Sequence, residues 1–263
     1  MIELRDVAIY RQQRCLLQHL TFSIQSNELL CILGPNGVGK SSLLKALAAE
    51  QGVRCTGSLQ LNQSSLVTMT PSVLARQRAV LSQNTTIEFD LNVTDIVAMG
   101  AYPFMNLAPS RYKVLFDEAI QLAGIEAFTK KNYRQLSGGE QQRVQFARVI
   151  LQTLAALQYS EQTVYLFLDE PTSSLDPHYQ HQLLARVKQL TDSYPVAAVA
   201  VLHDVNLAAM WGHKLLLLAP KKAVSYGVPT EVLTTEHLFE AFGVQTLVQS
   251  HPQKAAVPLI VYL

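Results

Sequence analysis

Residues 28–50 read ELLCILGPNGVGKSSLLKALAAE, and three local structures follow one another there. ELLCIL is a continuous apolar run, the pattern of a strand buried on both faces. GPNGVGKS, residues 34–41, has three glycines in eight positions. SSLLKALAAE places Leu43, Leu44 and Leu47 at helical spacing, with Gly52 just past the expected end. The order is strand, glycine loop, helix. Glycines let backbone N–H groups converge on an anion, and a helix start adds partial positive charge. Gly34, Pro35, Asn36, Gly37, Val38, Gly39, Lys40 and Ser41 fit G-x(4)-G-K-[ST], and Ser42 follows. This pattern predicts a nucleotide phosphate cradle. Lys40 reaches the β- and γ-phosphates, and the Ser41 hydroxyl is a ligand for Mg2+.

Two further continuous apolar runs lie downstream, VYLFL at 164–168 and VAAVAVL at 196–202. The first ends in Asp169-Glu170 and the second in His203-Asp204. Three buried strands thus deliver polar groups at their C-terminal ends, the edge where open α/β sheets bind ligands. KLLLLAP at 214–220 also suits a buried strand. The first thirty residues alternate apolar and polar positions, as antiparallel strands do. Residues 84–144 carry helical patterns and little strand signal. The predicted fold class is therefore α/β, a P-loop core with an antiparallel β sub-domain and an inserted helical sub-domain. Its parts are a core at about 1–83 and 145–230, the insert at about 84–144, and a C-terminal extension at about 231–263. Short helices and a last strand, VPLIVYL, are expected in that extension.

Composition narrows the function. A net charge of +1 gives no broad basic field for nucleic acid. No secretory signal opens the chain, and no apolar run approaches the ~20 residues that span a bilayer. Cys15, Cys31 and Cys55 form no metal-spaced or CxxC pattern and read as reduced structural thiols.

Beside a phosphate loop, Asp169 is the aspartate that holds Mg2+ at a strand mouth. Glu170 points elsewhere by the strand's period of two and is placed to orient and polarise water. The bland alternative is a polar loop opening before Pro171. His203 ends the third strand on the same edge, where a neutral imidazole can hold phosphate and water in register. Tyr10 either stacks on adenine or packs. Residues 136–143, LSGGEQQR, form a second glycine motif. Ser137 and Glu140 make S-x-x-E, a capping box, before a stripe of Val144, Ala147, Ile150, Leu151 and Leu154. Two glycines weaken a first helical turn, and their gain is close backbone approach to something.

In order and context, these motifs resemble those of ATP-binding-cassette (ABC) ATPases: the phosphate loop, LSGGEQQR, LFLDEPTSSLD at 166–176 and VLHD at 201–204. The resemblance covers Tyr10 to His203 and implies roles residue by residue. Tyr10 is similar to the adenine-stacking aromatic. Gln83 is similar to the glutamine that contacts Mg2+ and senses the transmembrane partner. Ser137, Gly138 and Gly139, with Glu140, match the signature that faces ATP on a partner chain. Asp169 and Glu170 match the metal-holding acid and catalytic carboxylate, and His203 the switch histidine. Ser174, Leu175 and Asp176 resemble the loop that crosses the dimer interface. ATP and Mg2+ are the implied cofactors. The implied partners are a second copy of the chain and two transmembrane permease subunits, with a periplasmic or surface substrate-binding protein acting indirectly. The implied location is peripheral, on the cytoplasmic face of the cell membrane. A permease groove is expected between core and insert, near Gln83.

Two stretches, LNVTDIVAMGAYPF at 91–104 and SYGVPTEVLTTEHLFEAFGV at 225–244, resemble importers of large iron-containing or corrinoid compounds. The usual G-R-x-P-H of that group reads Gly100-Ala101-Tyr102-Pro103-Phe104 here. LQTLAALQYSEQTVYLFLDE, 151–170, carries extra residues before its strand, as in haem-importer ATPases. Haem is the expected cargo, ahead of ferric siderophore or vitamin B12.

Overall fold

The computed structural model describes residues 1–263 except Asn84, Thr85, Thr86 and Glu88 and the side chain of Val67; the start of the insert expected at 84 therefore lies outside the described residues. The alternating N-terminal segment forms β1 (Ile2–Arg11) and β2 (Arg14–Ile24), and the apolar run forms β3 (Leu29–Leu33), every residue of which is buried. Helix α1 (Lys40–Leu47) starts on the phosphate loop. It stops three residues earlier than the sequence pattern suggests, because Ala49 turns into the left-handed region at φ 52°.

β4 (Arg54–Leu61) and β5 (Ser64–Ser65) follow, then α2 (Pro71–Gln77) and β6 (Arg78–Leu81). Next come α3 (Val93–Ala98), a 3-10 turn over 99–104, and α4 (Pro109–Ala123), which ends at Gly124 with φ 63°. Helix α5 (Gly138–Ala156) carries the second glycine motif at its start. The rest alternates: β7 (Val164–Asp169), α6 (Pro177–Ser193), β8 (Val196–Val201), α7 (Val205–Trp211), β9 (Lys214–Ala219) and β10 (Lys222–Gly227). The tail is α8 (Pro229–Val232), α9 (Thr235–Phe242), β11 (Thr246–His251) and β12 (Lys254–Tyr262).

The main sheet has the order β10-β9-β3-β8-β7-β6. All its pairs are parallel except the β9–β10 edge. A separate antiparallel sheet runs β2-β1-β4-β5, and β11 and β12 form a hairpin. Strands β3, β7 and β8 are fully buried, so their faces fill two cores. One core holds Tyr165, Phe167 and the inner face of β1 and β2, and the other packs α4, α5 and α6 beneath the sheet. Parallel β3, β7 and β8 bring the phosphate loop, Asp169-Glu170 and His203 to one edge. The residues before β7 close onto the helical region: Tyr159 stacks on Phe104 at 5.3 Å, and Arg111 donates to Gln158.

Candidate functional site

The phosphate loop divides its labour. Asn36, Gly37, Gly39, Lys40, Ser41 and Ser42 line a cavity of about 350 Å³, with Glu170 opposite. Gly34, Pro35 and Val38 shape the loop from behind. A Cβ at Gly34 would meet the Leu218 carbonyl at 2.7 Å, and Val38 is buried in the core. Lys40 is buried, and its Nζ donates to the carbonyls of Gly34 (2.8 Å) and Pro35 (3.1 Å). Burial pushes its ammonium down from the ordinary lysine range, opposed by Glu170 and Asp169. These loop carbonyls are the acceptors that phosphate oxygens would replace.

Ser41 Oγ donates to Asp169 Oδ1 at 2.9 Å across 128 positions of chain. Burial raises the Asp169 carboxyl above the ordinary aspartate range, and the Ser41 hydrogen bond opposes that rise. The next residue holds an unusual backbone: Glu170 has φ 51°, a left-handed conformation that costs a non-glycine residue about 1–3 kcal/mol. That turn aims its carboxylate between two partners. Gln83 Nε2 donates to Oε2 at 2.7 Å, and His203 Nε2 lies 2.8 Å from Oε1. The two oxygens are thus held from opposite sides, and the carboxylate still borders the cavity.

A second cavity of about 600 Å³ adjoins the first and shares Arg11, Ser41 and Ser42 with it; Gln83 and Asp169 also line it. Tyr10 lines neither. It pairs across β1–β4 with Arg54, whose guanidinium lies 4.6 Å from the ring centre. The neighbouring turn supplies Arg11, Gln12, Arg14 and Leu16 instead. The sequence reading missed these four, since a polar hairpin turn has no motif.

The second glycine motif forms the capping box. Glu140 N–H donates to Ser137 Oγ (3.3 Å), and Ser137 N–H donates to Glu140 Oε2 (2.8 Å). That backbone hydrogen bond holds the Glu140 carboxyl below its ordinary range. The two glycines differ. A Cβ on Gly139 would come within 2.9 Å of the Ser174 carbonyl, whereas one on Gly138 would meet nothing within 4 Å. Close approach is therefore internal at Gly139, and Gly138 faces open space. Of the interface loop, Leu175 is buried and Asp176 Oδ1 caps α6 by accepting from Tyr179 N–H (3.1 Å).

Gln142, also overlooked, joins these parts. Its Nε2 donates to the Glu170 carbonyl (3.1 Å), and its Oε1 accepts from Ser174 N–H (3.3 Å). Only its place inside LSGGEQQR marked it.

This edge, with its phosphate loop and acidic pair, together with the open glycine turn at the start of α5, is the residue set of an ATPase cassette. The chain belongs to the ABC transporter family, whose model matches residues 17–173. It is 41% identical over 251 residues to the hemin import ATP-binding protein HmuV of Bordetella pertussis, covering 95% of each chain. Among solved structures, a metal-chelate type ABC transporter in an inward-facing conformation matches all of this chain and 97% of that one, at TM-score 0.79 and 24% identity. A dimeric ATP-binding cassette, MJ0796, bound to ADP and Pi matches at TM-score 0.72 and 21% identity over 87% of this chain and 99% of that one. Both support the fold. The chain is thus an ATP-binding ABC ATPase, a class whose cassettes act as dimers with transmembrane permeases. Among the described residues no helix is long and apolar enough to cross a membrane.

Proposed function

We propose that this chain is the ATP-hydrolysing subunit of a haem importer, acting as a homodimer beneath two permease subunits on the cytoplasmic face of the membrane. The observation that carries the hydrolytic role is the Glu170 carboxylate, held by Gln83 and His203 at the mouth of the phosphate cavity. The name of the 41% identical relative supports haem as cargo.

ATP would lay its phosphates on the loop amides and on Lys40, exchanging the Gly34 and Pro35 carbonyls for phosphate oxygens. Adenine would be met at the β1–β2 turn, by Tyr10 or by Arg11 and Arg14 beside it. The hydroxyl of Ser41 and the carboxylate of Asp169, hard oxygen donors held together by a 2.9 Å hydrogen bond, would hold Mg2+. Gln83 commits its amide nitrogen to Glu170, leaving its oxygen for the same ion. Mg2+ bound there supplies charge neutralisation on the phosphates. Glu170 then polarises the attacking water as general base, and His203 keeps the carboxylate and the phosphate in register.

Gly138 presents the open first turn of the 19-residue α5, whose first N–H groups have no intrahelical partner. Such a turn binds an anion, and we assign it the ATP phosphates of the partner copy. The self-complementary pairing makes two equivalent sites. Ser174, Leu175 and Asp176 would lie across that interface.

The test is reconstitution with the permease that co-purifies from membranes, in vesicles loaded with ATP. Haem uptake that Glu170→Gln abolishes supports the reading. Uptake of ferric siderophore or vitamin B12 instead reassigns the cargo. ATP turnover that Glu170→Gln leaves intact overturns the mechanism.

A further inference from the structure

Glu170 holds a backbone conformation that its own sequence disfavours. Its φ of 51° is left-handed, and Pro171 follows it, which biases the preceding residue toward extended backbone. Strain of this kind persists only where the surroundings hold it. Three donors converge on the Glu170 carbonyl: Gln142 Nε2 (3.1 Å), Ser173 Oγ (3.1 Å) and the Ser173 N–H (3.3 Å). The two from Ser173 belong to the strained loop and move with it. Among the described residues, Gln142 is the donor from outside that loop, on α5.

The other end of the Gln142 amide accepts from the Ser174 N–H (3.3 Å). One planar group thus spans residues 170–174 and sets them against α5. A second glutamine grips the same loop differently. Gln180 on α6 donates to the carbonyls of Thr172 (3.1 Å) and Leu175 (2.9 Å). Neither of these bonds involves an atom of Glu170. Gln180 therefore fastens the loop, while Gln142 fastens the loop at Glu170 itself. At the tip of that side chain, Gln83 and His203 hold the carboxylate oxygens. A carboxylate aimed by partners at its tip also needs a fixed backbone at its root.

We propose that Gln142 is a positioning residue for hydrolysis. By donating to the Glu170 carbonyl, it fixes the left-handed turn that aims the carboxylate at the attacking water. This rests on the reading of Glu170 as general base, and it adds the group that sets its direction.

The test is ATP turnover by the chain with its co-purifying permease. Gln142→Glu, assayed at about pH 8 so that the new carboxyl is ionised, keeps the length and the acceptor for the Ser174 N–H and removes the donor to Glu170. Gln142→Met removes both contacts without adding charge. Circular dichroism melts check that each variant folds. Both should lower kcat about tenfold or more while KM for ATP stays within about twofold, the pattern of a misplaced catalytic group. A residue that acts through Glu170 has nothing left to aim once that carboxylate is gone. Adding Gln142→Met to Glu170→Gln should therefore lower the residual single-turnover rate by less than about twofold. An unchanged kcat in either folded variant overturns the proposal, and so does a full further loss in the Glu170→Gln background. Gln180→Met that lowers kcat as far as Gln142→Met also overturns it, since general stiffness of the loop would then be responsible. If Glu170→Gln alone leaves turnover intact, the reading of Glu170 fails and this inference with it; the other outcomes leave that reading standing.

Discussion

Replacing each signature glycine by alanine separates internal packing from partner binding. At Gly139 the added Cβ would lie 2.9 Å from the Ser174 carbonyl, about 0.5 Å inside an ordinary contact of ~3.4 Å. The obstacle is backbone, so no rotamer change relieves it. Overpacking of this kind costs about 1–3 kcal/mol, and the better helix propensity of alanine returns up to about 1 kcal/mol. The net loss is about 1–2 kcal/mol. For a chain of 263 residues that is a fall in Tm of roughly 2–8 °C. At Gly138 nothing lies within 4 Å, so only the propensity gain remains and Tm should hold or rise slightly.

Turnover should follow a different order. The Gly138→Ala methyl projects into the space assigned to the partner's phosphates, so ATP hydrolysis by the permease complex should drop at least tenfold while the isolated chain binds nucleotide normally. Gly139→Ala pushes the loop that begins at Glu170, so both stability and turnover should fall. Circular dichroism melts of the nucleotide-free chain and phosphate-release assays on the complex read the two effects. If Gly138→Ala melts as low as Gly139→Ala, or binds ATP less well as an isolated chain, the open face of the first turn is serving the chain itself and the composite site is refuted.

Glu170→Gln should keep ATP binding, lower turnover by about 10²–10⁴-fold and accumulate a dimer by size exclusion in Mg-ATP. Asp169→Asn should raise the Tm of the nucleotide-free chain, because a carboxyl whose folded pKa lies above the unfolded value costs stability when ionised at neutral pH; it should also abolish Mg-ATP protection against melting. His213 accepts the Leu29 N–H (2.9 Å), and burial, with Lys188 adding to it, lowers its folded pKa below the ordinary 6.5. The unfolded chain therefore binds more protons below about pH 6.5. Its contribution to stability is full above that value and is lost as pH falls through the depressed pKa, so His213→Gln should flatten the decline in Tm between pH 7 and 5.

The parts of the fold legible in the sequence were those whose burial is complete. β3, β7 and β8 have no exposed residue, so their apolar runs stand out. β4 has one buried residue in eight, and it contains Gly57, which has φ 86° and leaves no room for a Cβ, since one would run into the Asp6 carbonyl at 2.3 Å. Its strand character comes from pairing with β1, including a register shift between Arg5 and Ala8, and no local pattern announces it. β11 is half exposed and equally silent. The site divides along the same line. Lys40, Ser41, Asp169 and His203 sit where a buried strand or glycine loop ends, and those positions can be counted. The surroundings of Tyr10 depend on which residue lies opposite it across two strands, and that residue is Arg54. Gln142 is an ordinary polar letter whose meaning arises from the helix–loop contacts that the fold supplies.

Helix α5 binds these scattered contacts into one mechanical element. Its 19 residues span roughly 28 Å at 1.5 Å per residue. At its start the open turn at Gly138 faces outward, one turn later Gln142 holds the Glu170 carbonyl and Ser174, and further along Arg148 holds the Val80 carbonyl. Beyond that, Gln152 donates to the carbonyls of Ala75 (2.8 Å) and Arg78 (3.0 Å), where α2 meets β6. Gly100 packs so closely on this helix that a Cβ would fall 2.2 Å from the Arg148 carbonyl, which puts the 99–104 turn in close backbone contact with α5. A shift of α5 must therefore carry β6, the Glu170 loop and the 99–104 turn with it or break named hydrogen bonds. The capping box keeps the first turn intact while that happens. A ligand at the open turn would therefore act on the same rod that holds the Glu170 carbonyl and the end of α2.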